Sequence, residues 1–201
     1  MKEAIQYLTQ KDKIFGQIIE QYGLPVIPSR PEGFETLVLL ILEQQVSIDS
    51  AKATFLRMRD AVGKIIPENL ISISEEEFRT FGVSRQKAKY INHLADAVLT
   101  NKIDLSKLSS KSAEEVRAEL IQLKGIGHWT IDVYLMFSLK KEDVLPLGDV
   151  AIVNTMKELL GLEKEEMDGY GQNWAPHRTL ASFLLWHHYL QKRGRKITYQ
   201  Y

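Results

Sequence analysis

Two glycines, Gly125 and Gly127, stand one residue apart between two stretches of helical pattern, and so short an interval limits the chain here to a tight helix–turn–helix corner. Upstream, Ser112-Ala113-Glu114-Glu115 has the S-x-x-E spacing of a capping box, which predicts a helix start. Val116, Leu120 and Leu123 continue it at helical spacing up to Leu123-Lys124-Gly125. Downstream, a second helix is expected from His128 to about Leu139, with Trp129, Val133, Met136 and Phe137 on or near one face. The glycines leave the backbone uncovered, so amide N–H groups at the start of the second helix can approach a phosphate oxygen. Taken alone, the turn fits an ordinary helix–helix corner as well as it fits a phosphate grip. The next segment narrows the choice: Leu145-Pro146-Leu147-Gly148-Asp149-Val150 sets a lone carboxylate just before a helix expected over 150–160. By position Asp149 is an N-cap, and a cap would also hold its carboxylate rigidly.

The hairpin L-K-G-I-G-H-W-T followed by Asp149 in P-L-G-D-V-A-I resembles the helix-hairpin-helix DNA glycosylases. The likeness is to their alkylation-repair branch, the 3-methyladenine DNA glycosylase II proteins, and it runs from about Phe34 to Trp186. The resemblance implies an all-α, two-lobed fold with the active-site cleft between the lobes. One lobe would span about 34–133, hairpin included, and the other 1–33 with 134–201, the chain crossing over in the proline-rich stretch 24–31. Asp149 would be catalytic, and Lys124, Gly125, Ile126, Gly127, His128 and Thr130 would form the DNA-binding hairpin. Gln44 and Gln45 match the family's Q-x-V/I-S turn, whose side chain fills the gap left by a flipped nucleotide, with Gln45 the preferred wedge. Trp174-Ala175-Pro176-His177-Arg178 resembles the W-x-P-x-R stretch that opens the last helix. Trp129, Trp174, Trp186 and Tyr134 are the candidate walls of a base pocket, each otherwise a core aromatic. Val133 stands where some members have Tyr, which leaves base preference open.

The chemistry needs one carboxylate. Breaking an N-glycosidic bond builds positive charge on the sugar, which an ionised Asp stabilises. A cationic alkylated purine leaves without a general acid, and the sequence offers Asp149 no evident acid partner. Where bifunctional members carry a Schiff-base Lys, this chain has Trp129, so strand cleavage is not expected. An aromatic face there would attract a cationic purine. The expected activity is therefore monofunctional excision of 3-methyladenine, 7-methylguanine and similar bases from double-stranded DNA, by a monomer with no protein partner implied. The rivals are a uracil or mismatch glycosylase, a non-catalytic DNA-damage-binding protein, and a helical protein-interaction domain.

The 26 basic and 26 acidic side chains cancel, which argues against a broad basic binding surface. Charge is nevertheless clustered: Arg79, Arg85, Lys87 and Lys89 in one group, Lys192, Arg193, Arg195 and Lys196 in another. Ser84, Arg85 and Lys87 at a helix start, and Arg178, are weaker candidates for backbone phosphate contacts. With no cysteine, disulfides and iron–sulfur ligation are excluded. His187 and His188 are adjacent and point apart on a helix, so no metal is expected. A monovalent cation held by hairpin carbonyls is implied by the resemblance alone, and no other cofactor is. Met1-Lys2-Glu3 opens no signal pattern and Leu37–Leu42 is too short an apolar run to span a bilayer, so an intracellular protein is expected, in a bacterial cytoplasm or a eukaryotic nucleus.

The remaining pattern predicts nine or ten helices: one over 1–22, one over 34–46, one from Asp49 or Ser50 through Val62, a short one after Ser74 and a longer one over 85–99. Residues 65–70 and 105–108 are expected as turns, 162–175 as a Gly-rich acidic loop, and Pro176 as the start of the last helix, to about Gln191. Ile197-Thr198-Tyr199 is at most a frayed strand edge.

Overall fold

Asp12 divides what the apolar spacing of residues 1–22 predicts as one helix. Its backbone is extended, at φ −147° and ψ 120°, and its carboxylate accepts from the Ile14 amide, so α1 (Lys2–Lys11) stops and α2 (Lys13–Tyr22) begins. A computed structural model describes residues 1–195, and among them the chain is helical throughout, with twelve α-helices, two 3-10 turns and no strand. Lys196 and the Ile197–Tyr199 edge lie outside the described residues. No helix among the described residues is long and apolar enough to cross a membrane.

Arg30–Tyr134 form one compact unit, and Met1–Ser29 with the described residues from Leu135 to Arg195 form the other. The first change of unit falls in the loop after Gly23, where Pro25, Pro28 and Pro31 rule out a helix. The second falls inside α9 (His128–Phe137).

In the central unit, α3 (Phe34–Glu43) is apolar on all sides and buried from Thr36 to Glu43. It ends earlier than its pattern predicts, because Gln44 is extended and Gln45 turns left-handed. Next come α4 (Ile48–Val62), capped by Ser47, and a one-turn α5 (Pro67–Leu70) where a turn is expected. Ser74 and Ser84 cap α6 (Glu75–Thr80) and α7 (Arg85–Leu99) through their hydroxyls, as their sequence positions predict. A 3-10 turn (Leu105–Ser110) leads to α8 (Ala113–Leu120), whose capping box is formed in both directions by Ser112 and Glu115.

The terminal unit packs α1 and α2 against α10 (Val150–Leu160) and α12 (Arg178–Lys192) around Phe15, Ile18, Ile152, Met156, Leu184 and Leu185. The stretch expected as a loop holds α11 (Lys164–Gly171) and a 3-10 turn (Gln172–Trp174). Its glycines sit at the helix end, while Glu163 and Glu166 form a capping box that composition hides. The last helix starts at Arg178, after a cis Ala175–Pro176 bond, and not at Pro176.

Glu43, in the last turn of α3, would place a buried negative charge at the unfavourable end of the helix dipole. Arg30 compensates it with two bonds, 2.8 Å to Oε2 and 2.7 Å to Oε1, the side chains being 3% and 5% exposed. Arg30→Ala leaves that carboxylate buried without its guanidinium and is expected to cost about 3–5 kcal/mol. Urea unfolding should show the midpoint falling with the slope unchanged; a loss under about 1 kcal/mol would mean water replaces the guanidinium at no cost.

Candidate active site

Asp149 closes a tight turn in which its amide donates to Pro146 O at 2.9 Å and Leu147 N to Leu145 O at 3.0 Å. As N-cap of α10, its Oδ1 accepts from Ala151 N at 2.9 Å and Ile152 N at 3.2 Å. A third donor reaches the same oxygen: the indole Nε1 of Trp186 on α12, at 3.0 Å. Phe137 and Phe183 pack around that indole, with ring centroids 5.7 and 5.9 Å away, so its direction is fixed by buried aromatics. The segment before Asp149 is stitched to the start of α12 as well. Arg178 holds Asp143 through Nε at 2.7 Å and Nη2 at 2.9 Å, which keeps that carboxyl below the usual range. Thr179 Oγ1 donates to Lys141 O at 2.7 Å and accepts from Val144 N at 3.0 Å. The carboxylate is thus set from both sides within one unit.

In the central unit, the Gly125–Gly127 stretch joins α8 and α9 into a hairpin. Gly127 O accepts the first helical bond of α9 from Ile131 N at 3.0 Å, so the turn delivers the chain directly into a helix N-terminus, the end of a helix dipole that favours an anion. Gly125 has φ +91°, and a Cβ there would sit 2.1 Å from Cγ of Tyr90, whose ring lies against the turn from α7. Arg117 on α8 pairs with Asp132 on α9 and ties the two arms together. Burial raises the Asp132 carboxyl, and the Arg117 charge opposes the shift. The turn's main-chain carbonyls are the hard, neutral donors that a monovalent cation takes, with Gly125 O shared with the Gln44 side chain at 2.8 Å. Among the described residues no group of three His, Asp or Glu could hold a metal ion.

Residues 38–174 match the family described as HhH-GPD superfamily base excision DNA repair proteins. The chain belongs to that superfamily. It is 31% identical to DNA-3-methyladenine glycosylase 1 of Schizosaccharomyces pombe over 78% of this chain and 72% of the relative. The alkylbase DNA glycosidase-like protein mag2 of the same yeast is 27% identical, over 92% of each chain. Among solved structures, the DNA-3-methyladenine glycosidase of Bacillus halodurans superposes with a TM-score of 0.82 at 34% identity, covering 95% of this chain and 91% of that one.

Within this HhH-GPD chain the structure separates the sequence candidates. Trp174 is fully buried in the core of the terminal unit, its indole near Asp12 Oδ2 at 3.4 Å and its ring edge-on to Phe15 at 5.1 Å. It offers no face to a base, contrary to expectation. Tyr134 is also fully buried, and its hydroxyl accepts from Gly33 N at 2.8 Å, where it seats the entry to α3. Trp129 and Trp186 are half-buried and keep accessible surface.

In the hairpin, Lys124, Gly127 and His128 are exposed, while Ile126 and Thr130 are buried, the Ile126 amide donating to Leu123 O at 3.0 Å. Gln44 is not a wedge: its Nε2 donates to Gly125 O at 2.8 Å and Thr130 Oγ1 at 3.0 Å. Gln45 is exposed with φ 57°, a left-handed conformation that costs a non-glycine residue about 1–3 kcal/mol. Lys87 is not a surface phosphate contact, since its Nζ donates to Leu42 O at 2.7 Å and Gln44 O at 2.9 Å. Burial lowers its pKa. Arg178 is likewise held by Asp143. Ser84 caps α7, and Arg85 forms an exposed pair with Glu75 at 3.1 Å. Sequence reasoning missed the donor roles of Trp186 and Lys87; a Trp and a Lys each far in sequence from their acceptors leave no local signal.

Gly125→Ala combines a left-handed backbone with a clash on a packed ring. It is expected to destabilise the protein by about 1–3 kcal/mol and to weaken DNA binding at the hairpin. Thermal melting together with a DNA titration checks this, and unchanged values for both would show that the turn can yield.

Proposed function

We propose that this chain is a monofunctional glycosylase that hydrolyses the N-glycosidic bond of N-alkylated purines in double-stranded DNA. Its substrates are of the 3-methyladenine and 7-methylguanine class, and its product is an abasic site in an uncut strand. The observation that carries this reading is the Asp149 carboxylate, fixed through Oδ1 by two α10 amides and the Trp186 indole. The DNA-3-methyladenine names of relatives at 31% and 34% identity support the substrate class. The solved Schizosaccharomyces pombe Mag1 in complex with abasic DNA, 29% identical with a TM-score of 0.82, supports DNA as the partner.

The chemistry runs as bond cleavage at C1′ of the sugar. The C1′–N bond breaks with its electron pair going to the cationic base, which leaves neutral and needs no proton. The oxocarbenium character left on the sugar is stabilised by the negative charge of Asp149, and water adds to C1′ and loses a proton. Trp129 supplies an aromatic face for the cationic base. Its indole cannot form a Schiff base, so the strand stays intact. The amides at the start of α9 hold a backbone phosphate, and Gln45 occupies the space the base vacates.

Asp149→Asn separates catalysis from capping, because Asn is as good an N-cap as Asp. With methylated duplex DNA, wild type should release methylpurine, with strand breaks appearing only after alkali. The variant should fall by roughly a hundredfold or more while melting within a few degrees of wild type. Breaks without alkali would contradict the monofunctional reading. Release of uracil but not 7-methylguanine would overturn the substrate class, and DNA binding without release by either protein would leave a damage-binding module. Trp186→Phe keeps the ring packing and deletes the donor, and is expected to lower single-turnover excision about tenfold at unchanged DNA affinity. A matching loss of affinity would make Trp186 a binding residue instead.

A further inference from the structure

Three observations in the central unit meet at one place. Lys87 on α7 inserts its ammonium at the C-terminus of α3, where it donates to the carbonyls of Leu42 and Gln44. Gln44, the C-cap residue of that helix, sends its side-chain amide in the opposite direction, to Gly125 O and Thr130 Oγ1 of the hairpin. Gln45 then leaves this doubly anchored residue in a left-handed conformation, with its side chain exposed. A non-glycine residue persists at φ 57° when its surroundings over-determine it, and such outliers cluster at functional positions.

We infer that Gln44 and Lys87 are positioning residues for base extrusion, coupling the hairpin's hold on a DNA phosphate to the insertion of Gln45 into the base stack. The inference rests on the reading of Gln45 as the wedge. Both contacts of the Gln44 amide fall on the hairpin, one on the turn and one in the first turn of α9. A hairpin seated on a phosphate therefore fixes where the backbone of Gln44 lies, and with it the start of the Gln45 side chain. Lys87 removes the remaining freedom by satisfying carbonyls that would otherwise fray at the helix end. The wedge then acts on a preset geometry, and ordering the loop at the moment of extrusion costs little. Without the anchors, Gln45 would have to find its conformation against the stacked duplex, where opening a pair already costs a few kcal/mol.

The test compares excision of the same methylated base from duplex and from single-stranded DNA, because only the duplex requires a base to be pushed out of a stack. Gln44→Glu preserves size but replaces the donor with an acceptor facing Gly125 O, and Lys87→Met preserves the stem while removing the ammonium. Both are expected to lower the single-turnover duplex rate about tenfold more than the single-strand rate. Combined with Gln45→Ala, neither should lower the duplex rate further, since all three act through one wedge. Equal losses on both substrates, or no loss on duplex, would overturn the coupling. Lys87→Met should leave the salt dependence of DNA binding unchanged; a slope reduced by about one would return Lys87 to a phosphate contact and likewise overturn it. Gln45→Ala alone separates the two levels. If it spares duplex excision, the wedge reading has failed; if it impairs duplex excision and the anchor variants do not, the coupling has failed. Where Gln44→Glu does not fold, as melting would reveal, Lys87→Met carries the decision.

Discussion

Every α-helix ends in backbone groups that its own ladder cannot satisfy, and what this chain does with three such ends accounts for its candidate chemistry. At the C-terminus of α3 a lysine from another helix occupies the carbonyls, so the chain leaves in a fixed direction. At the N-terminus of α10 the cap is a carboxylate, so one residue ends the turn and presents a charge. At the N-terminus of α9 the turn brings Gly127 and the exposed His128 to the positive end of the helix dipole, with no side-chain carboxylate there as at α10. These are three solutions to one problem, and the differences between them divide the work. A side chain that satisfies an end makes a rigid mount, and an end capped only by backbone suits the anion grip proposed for the hairpin.

The buried polar groups follow the same logic. The Arg30–Glu43 pair lies one residue before Gln44, and the Arg117–Asp132 pair ties the two helices of the hairpin. The first pair is fully buried and the second half-exposed on its arginine side; a buried pair is weak as a source of stability, because desolvation offsets most of the attraction. It does, however, tolerate only one geometry. Both pairs flank the segments that must be held in place, which is where a specified geometry matters more than net stabilisation. In the terminal unit, Asp12 has a comparable position: it caps α2, accepts from the Tyr170 hydroxyl at 2.8 Å and receives the Trp174 indole.

Local signals were legible from sequence, and features that depend on a distant partner were not. Ser74, Ser84, Ser112 and Asp149 each announce a helix start because the cap and its amide are two or three residues apart. The break at Asp12 is equally local, yet the apolar spacing on either side is continuous and outvotes it. The acidic, glycine-bearing stretch after Leu162 reads as a loop by composition, although its charges fill a capping box and its glycines sit at the end of α11. The residue type alone does not tell Trp174 from Trp186, since each is a large aromatic that suits a core as well as a pocket wall. What separates them is which carboxylate the indole meets, Asp12 for one and Asp149 for the other. Gln44 and Gln45 differ likewise: one finds a partner 81 residues away in sequence, the other finds solvent.

The double duty proposed for Asp149, cap and reactive carboxylate, also constrains how such a protein can change over generations. An oxygen that completes a helix end is a structural part, and the side chain that carries it cannot be discarded as freely as a purely reactive group. In the proposed mechanism, most replacements would remove the reaction and loosen the start of α10 in the same step. A lineage that lost excision while keeping its DNA-gripping scaffold would have to pass through the few side chains that still cap, such as Asn, Ser or Thr. Inactive descendants of this fold should therefore carry their history at this position, as a residue that keeps the shape of the carboxylate's bonds without its charge.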